Sequence, residues 1–413
     1  MMRFPLLTLG SRSRRFSWVP AAARAAMSLR GDPTFDKETL SGDTALWFGR
    51  IEDTIANPKS DLNPATVAAS DDLYKYGREL HTYVQSVLWA FRITGDLTLL
   101  NHVDDIAEVM RAELADGWRD TLDGTDGTTD GYLNWVWRYT SGDSYVGKDT
   151  HEMDEIKTHA FIALIAVALD TNRDQSPVGR DYAAHADFWK DYLVNHFEAK
   201  WRDRKSVATG FPFLYRTIMH AYLSGVKWHY YMGILTGDSA YTSEATTMAG
   251  HWWAEMRDVS TSAGNVYVSP QTALLLGGSS NILMPTVYVS MVFGDMVELH
   301  FEGFDRWADD AELATFARTM DQFIMDEADP VTNGYSQCMG GGVERAGLPT
   351  LTPALARGTK NRYAFSGHPT IAPWDVTGRV AAFTEAAWPT LGVNQTGMML
   401  ESGALLHTVW SVL

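Results

Sequence analysis

Apolar residues recur along most of this chain with the period of a helix. The pattern predicts helices over 41–57, 70–94, 97–115, 151–171, 178–204, 212–236, 240–258, 285–302, 309–327, 377–388 and 397–411. The joints between them carry a repeated signature. Arg92-Ile-Thr-Gly-Asp96 ends one stretch and starts the next, and Ile234-Leu-Thr-Gly-Asp238 does the same. Ala168-Leu-Asp-Thr-Asn-Arg-Asp174 is a looser copy between them. Glycine supplies a left-handed C-cap and aspartate the N-cap of the following helix. The copies fall roughly seventy residues apart, about two helices with their loops, as in a ring of helix pairs or a solenoid.

The helices also alternate in character. Those at 151–171, 212–236 and 285–302 are apolar with a few polar residues, whereas 97–115, 178–204 and 309–327 are charged on one face. An inner and an outer layer produce that alternation. The expectation is an all-α fold, an (α/α) barrel of six or seven helix hairpins. No linker divides the chain, so one domain is expected over 31–413, after a targeting or disordered segment at 1–30. Segments 116–150, 259–284 and 328–376 are long, polar and irregular, yet bear many aromatic residues. Loops of that length are usually functional, and here they suit the walls of a groove. No alternating run is long enough to demand a separate sheet domain.

Composition narrows the chemistry. A net charge of −17 argues against nucleic acid and anionic membrane surfaces as partners. It also counts against a polyuronate, unless the cleft is locally basic. Fifteen tryptophans suit stacking on sugar rings, although most belong to helix packing. The single cysteine, Cys338, excludes intrachain disulfides and a cysteine-based zinc site. No apolar run is long enough to span a bilayer. The first thirty residues hold no acidic residue and four arginines by Arg15, loosely like a twin-arginine export signal, so a secreted or periplasmic location is expected. Phosphate-cradling loops, a Gly-x-Ser-x-Gly elbow and His-Glu-x-x-His are absent; the turn at 123–130 resembles a calcium loop but lacks the closing glutamate. No cofactor or metal is expected.

Several constellations remain. Glu152 and His159 are seven apart and Glu155 and His159 four apart, so each pair shares a helix face. A carboxyl beside an imidazole suits proton transfer or carboxylate binding; the alternative is an acidic first turn and a satisfied core histidine. Arg216 and His220 lie four apart, with Tyr222 two further on. An arginine in an apolar helix needs an anionic partner, from the protein or from a substrate. Arg78, His81 and Gln85 share a face, either a second basic wall or a solvated face. Asn134, Trp135 and Arg138 in one loop, and Arg362, Tyr363 and His368 in another, suit uronate subsites.

The hairpin pattern together with Glu152/His159 and Arg216/Tyr222 resembles the (α/α)-barrel polysaccharide lyases, most closely polysaccharide lyase family 38. That family places a glutamate and a histidine seven apart on one inner helix, then an arginine and a tyrosine six apart on the next. The architecture matches over 40–413 and the motif over those four residues; the Asn-Asn-His-Ser-Tyr-Trp motif of older (α/α) alginate lyases is missing. The resemblance implies β-elimination on a β-1,4-polyuronate such as alginate or glucuronan. It makes Tyr222 the base and acid, stabilised by His159, with Arg216 lowering its pKa and protonated Glu152 bonding the uronate. Helix geometry alone favours His220 over Tyr222 as the base. Two rival readings stand beside this one. An (α/α)-barrel glycoside hydrolase would draw on Glu152, Glu155, Asp130 or Asp375. A non-catalytic toroid would bind glycan and leave it intact.

Overall fold

The computed structural model describes residues 27–58, 63–116, 129–139, 146–205, 218–272, 283–307, 309–325, 335–336, 360–361, 368–391 and 395–410, with no side-chain description at 286–287, 335–336, 360–361, 368–369, 387–391, 395–400 and 410. The described chain is mostly helical. In order it forms α1 (Gly42–Ala56), α2 (Pro64–Ala68), α3 (Leu73–Lys75), α4 (His81–Thr94), α5 (Leu97–Ala112), α6 (Glu152–Thr171), α7 (Tyr182–Tyr192), α8 (Ala199–Arg204), α9 (Met219–Thr236), α10 (Ser239–Ala254), α11 (Thr286–Phe301), α12 (Asp310–Thr319), α13 (Arg379–Leu391) and α14 (Gln395–Trp410). Widened π turns at Tyr76–Leu80, Leu193–Glu198 and Met320–Ile324 continue α3, α7 and α12. Among the described residues no helix is long and apolar enough to cross a membrane.

The repeated joints fold as their residues dictate. Gly95 and Gly237 sit at φ 73° and 74°, the left-handed region where a Cβ is costly. Asp96 then accepts from the Thr98 amide at 2.9 Å and Asp238 from the Ala240 amide at 2.8 Å. The third, looser copy behaves differently. It lacks glycine, and the next helix starts later, where Asp181 accepts from the Ala184 amide. Asn172 instead clamps the N-terminal segment, donating to the Leu29 carbonyl at 2.7 Å and accepting from the Gly31 amide at 2.7 Å.

Helices α6 and α9 are buried on all sides, α6 without interruption from Asp154 to Leu169. They pack on each other; α4 and α7 flank α6, while α10 and α11 flank α9. Helix α14 lies between α4 and α1, and the 3-10 turn His368–Trp374 bridges α11 and α14. Gly77 in the first π turn lets this turn approach α6, since a Cβ there would stand 2.8 Å from the Asp154 carbonyl oxygen. That close approach sets Arg78 over the start of α6.

One expectation needs correcting. Helix α10 stops at Ala254, not 258, and an antiparallel hairpin pairs Arg257–Thr261 with Gly264–Val268. Asp258 and Ser260 are exposed, while Val266 and Val268 are buried against the core. Five-residue strands give too little alternation to stand out from a loop.

Candidate functional site

Four central helices each carry one polar stripe at helical spacing, so each stripe lies on one face. Arg78, His81, Gln85 and Arg92 line the first π turn and α4; Asp154 and Lys157 line α6. His220, Ser224, Lys227 and Tyr231 line α9, and Tyr288, Met291, Asp295 and Glu298 line α11. The stripes meet. Lys227 donates to Asp295 at 2.6 Å and Ser224 to the same carboxylate at 3.0 Å. Gln85 reaches Asp295 at 3.5 Å, and the Lys157 ammonium lies 3.6 Å from the Met291 sulfur. Arg78 donates to Asp154 at 3.1 Å. At one end the His220 ring lies flat on Tyr288, with centroids 4.0 Å apart and planes 5° from parallel. At the other end Arg92 and Tyr231 bind Glu298 at 2.5 and 2.7 Å, and Arg92 also holds the Met27 carbonyl at 3.0 Å.

Both ends hold ion pairs, and both leave buried polar atoms with no hydrogen-bond partner among the described residues: Glu298 Oε2 at the Arg92 end, and both His220 ring nitrogens, His81 Nε2 and Gln85 Oε1 toward the other. An unsatisfied buried polar group costs about 1–3 kcal/mol, and four such atoms on His220, His81 and Gln85 make the His220 end the candidate site. This end also reaches solvent, through the Arg78 side chain at 25% exposure and the half-buried Tyr288.

Electrostatics set the protonation states. Burial, reinforced by Lys157 and Arg78, holds the His220 imidazole well below the ordinary histidine range and therefore neutral near pH 7. Burial, with Lys227 and Lys157, does the same to His81. Burial brings Lys157 down to about 8 against the opposing pull of Asp154. Burial alone would raise Asp154, yet His151, Lys157 and Arg78 outweigh it and hold the carboxylate below its usual range. The cluster thus presents neutral imidazoles beside the Arg78 and Lys157 cations, with Asp154 as the carboxylate that holds Arg78.

The residues singled out from sequence divide sharply. Arg78, His81 and His220 converge in this cluster. His159 does not. It donates through Nδ1 to the Glu155 carbonyl at 2.7 Å, accepts at Nε2 from Tyr192 at 2.9 Å, and stacks on Phe197 at 3.7 Å. Both ring nitrogens are satisfied, so it is a core histidine. Tyr222 lies 200° round α9 from His220 on an ideal helix. It faces α10, with its hydroxyl 3.4 Å from His251 Nδ1. Glu152 pairs with Lys205 at 3.1 Å. His159, Tyr222 and Glu152 therefore share no pocket, and Arg216 lies outside the described residues.

Glu155 is structural as well. It accepts from Lys200 at 2.9 Å, Trp201 at 2.6 Å and Asn134 at 3.0 Å, all buried. Asn134 and Trp135 are 1% and 0% exposed, with Trp135 donating to the Met110 carbonyl, so neither offers a face to a sugar. Arg138 is tied to Asp71 through the carbonyl and the carboxylate. The carboxylates considered for hydrolysis are also occupied: Asp130 accepts from Arg204 at 2.9 Å, and Asp375 accepts from the Val380 amide at 2.8 Å. Arg362, Tyr363 and the His368 side chain lie outside the described residues.

Sequence reading missed Asp154, Lys157, Lys227, Tyr288 and Asp295. The signal was present as i, i+3, i+7 and i+4, i+7 spacing of polar residues within otherwise apolar helices. Elsewhere, among the described residues, Asp104, Glu108 and His185 place ligand-type atoms within 4.8 Å of one another. The Arg180 guanidinium already binds Asp104, which supplies the cation there.

No protein-family model, no curated protein and no solved structure matches this chain.

Proposed function

We propose that the chain is a polysaccharide lyase that cleaves an acidic glycan of the β-1,4-polyuronate type by β-elimination, and that its helix pairs close into an (α/α) toroid around the His220 cluster. The closure follows the packing order α14, α4, α6, α9, α11, completed by the 3-10 turn between α11 and α14. The observation that carries the chemistry is the His220 imidazole, buried on Tyr288 with neither nitrogen bonded among the described residues, beside Lys157 and Arg78.

β-Elimination needs three things: neutralisation of the uronate carboxylate, a base for the proton at C5, and an acid for the oxygen leaving C4. Lys157 and Arg78 are the cations for the carboxylate. His220 is the base, since a neutral buried imidazole has a free lone pair for the C5 proton. As that C–H bond breaks, its electrons form the C4–C5 double bond and expel the C4 oxygen. Tyr288, stacked on His220, gives that oxygen its proton. Glycoside hydrolysis fits less well, because it needs a protonated carboxyl group facing a second carboxylate. The carboxylates of this cluster, Asp154 and Asp295, are instead bonded to Arg78 and Lys227.

The test is a panel of polyuronates with purified protein, followed by ultraviolet absorbance. Appearance of the unsaturated-uronate band supports the reading. New reducing ends without that band favour the hydrolase, and retention of intact glycan favours a binding toroid.

A pH profile tests the role of Lys157. Its ammonium must be protonated to neutralise the carboxylate, and it loses the proton at about 8. The value of kcat/KM should therefore fall as pH rises through about 8. Lys157→Arg should move that limb to higher pH, because guanidinium keeps its proton. An unmoved limb contradicts the assignment.

A further inference from the structure

The loop that carries Trp135 and Arg138 was expected to hold a sugar through those residues, but Trp135 is sealed in the core. Among its described aromatic residues the most exposed is Tyr139, at 49%. Tyr139 is not a loose surface ring. It stacks flat on Tyr74, with centroids 3.8 Å apart and planes 11° from parallel. Buried Trp137 meets both rings edge-on at 6.0 and 5.8 Å and donates its indole N–H to Asp154 at 3.0 Å. The Arg78 guanidinium lies 4.7 Å from the Tyr74 centroid and binds the same Asp154. A stacked aromatic face thus stands beside the Arg78–Asp154 pair, braced by two residues, Trp137 and Arg78, that bond that carboxylate.

We infer that Tyr139, backed by Tyr74, is a stacking platform for a pyranose ring of an acidic glycan, at a subsite outside the His220 cluster. This rests on the lyase reading for the direction of the chain and the class of the sugar. One face of Tyr139 is spent on Tyr74; the outer face is the apolar surface that the C–H side of a sugar ring covers. Arg78 supplies positive charge beside it, complementary to a uronate.

Binding without turnover isolates the platform. His220→Ala protein is run through native gels containing alginate, glucuronan or a neutral glucan, and its retardation is measured. Adding Tyr139→Ala should weaken retardation by an acidic glycan about fivefold or more, while Tyr139→Phe should hold it within about twofold. Equal retardation with and without Tyr139→Ala overturns the platform, as does retardation of His220→Ala by none of the glycans. Retardation by neutral glucan as strong as by polyuronate overturns the acidic class. The lyase reading is judged separately, by the absorbance of wild-type digests, so either can fall alone.

Discussion

Replacing His220 with phenylalanine is expected to abolish turnover and leave the protein at least as stable as before. The reasons are local. Phenylalanine keeps the flat stack on Tyr288 but removes two buried nitrogens that have no partner among the described residues. Each such group costs about 1–3 kcal/mol, so its removal is stabilising. The added carbon offsets part of that gain, because overpacking a filled core costs about 1–3 kcal/mol. Removing the base should lower kcat by about 10²–10⁴-fold. Loss of activity without loss of stability distinguishes a functional side chain from a packing one. Chemical denaturation and initial rates on the same preparation check both halves. A variant that unfolds more readily and still turns over would place His220 in the scaffold.

Glu155→Ala should do the reverse, and its effect on stability should be the largest of any single change to the sequence-predicted residues. The carboxylate accepts from Lys200, Trp201 and Asn134 in a region closed to water. Without it, Lys200 keeps only Asp149, at 3.5 Å, and that carboxylate also serves Arg204. Breaking a buried pair by removing one partner typically costs about 3–5 kcal/mol, because the other charge stays buried. Burial also pushes the Glu155 carboxyl upward against the pull of Lys200, so a protonated or amide substitute is a milder test. Glu155→Gln should cost less than Glu155→Ala, because its one amide oxygen can still accept from either Asn134 or Trp201. Equilibrium unfolding would settle it. A loss below about 1 kcal/mol, or lost turnover in a fully folded sample, would return Glu155 to the substrate.

The contrast between these residues marks how far the sequence could be read. Helix positions were most legible where period, glycine and aspartate agree, as at Gly95–Asp96 and Gly237–Asp238. The 257–268 hairpin was not, since its strands are short and only weakly alternating. For the site, spacing put Glu152 and His159 on one helix face, but it could not say which way that face turns. Helix α6 is buried on all sides and its polar residues are spread round its N-terminal half, so no single polar side marks its orientation. One face of α6 carries Glu155 and His159 toward α7 and α8; the other carries Asp154 and Lys157 toward α4 and α11. The choice becomes visible only through partners on other helices: Tyr192 for His159, Arg78 for Asp154 and Met291 for Lys157. On α9 more could have been seen. His220, Ser224, Lys227 and Tyr231 form an unbroken polar stripe in an apolar helix, and Tyr222 stands off it.

The reaction centre is most directly tested by comparing His220→Phe with Tyr222→Phe on whichever polyuronate the wild type degrades, with the initial rise in unsaturated-uronate absorbance as the readout. If the centre lies where the four stripes meet, His220→Phe loses the signal and Tyr222→Phe keeps it within a few-fold. A silent Tyr222→Phe beside an active His220→Phe would contradict the account.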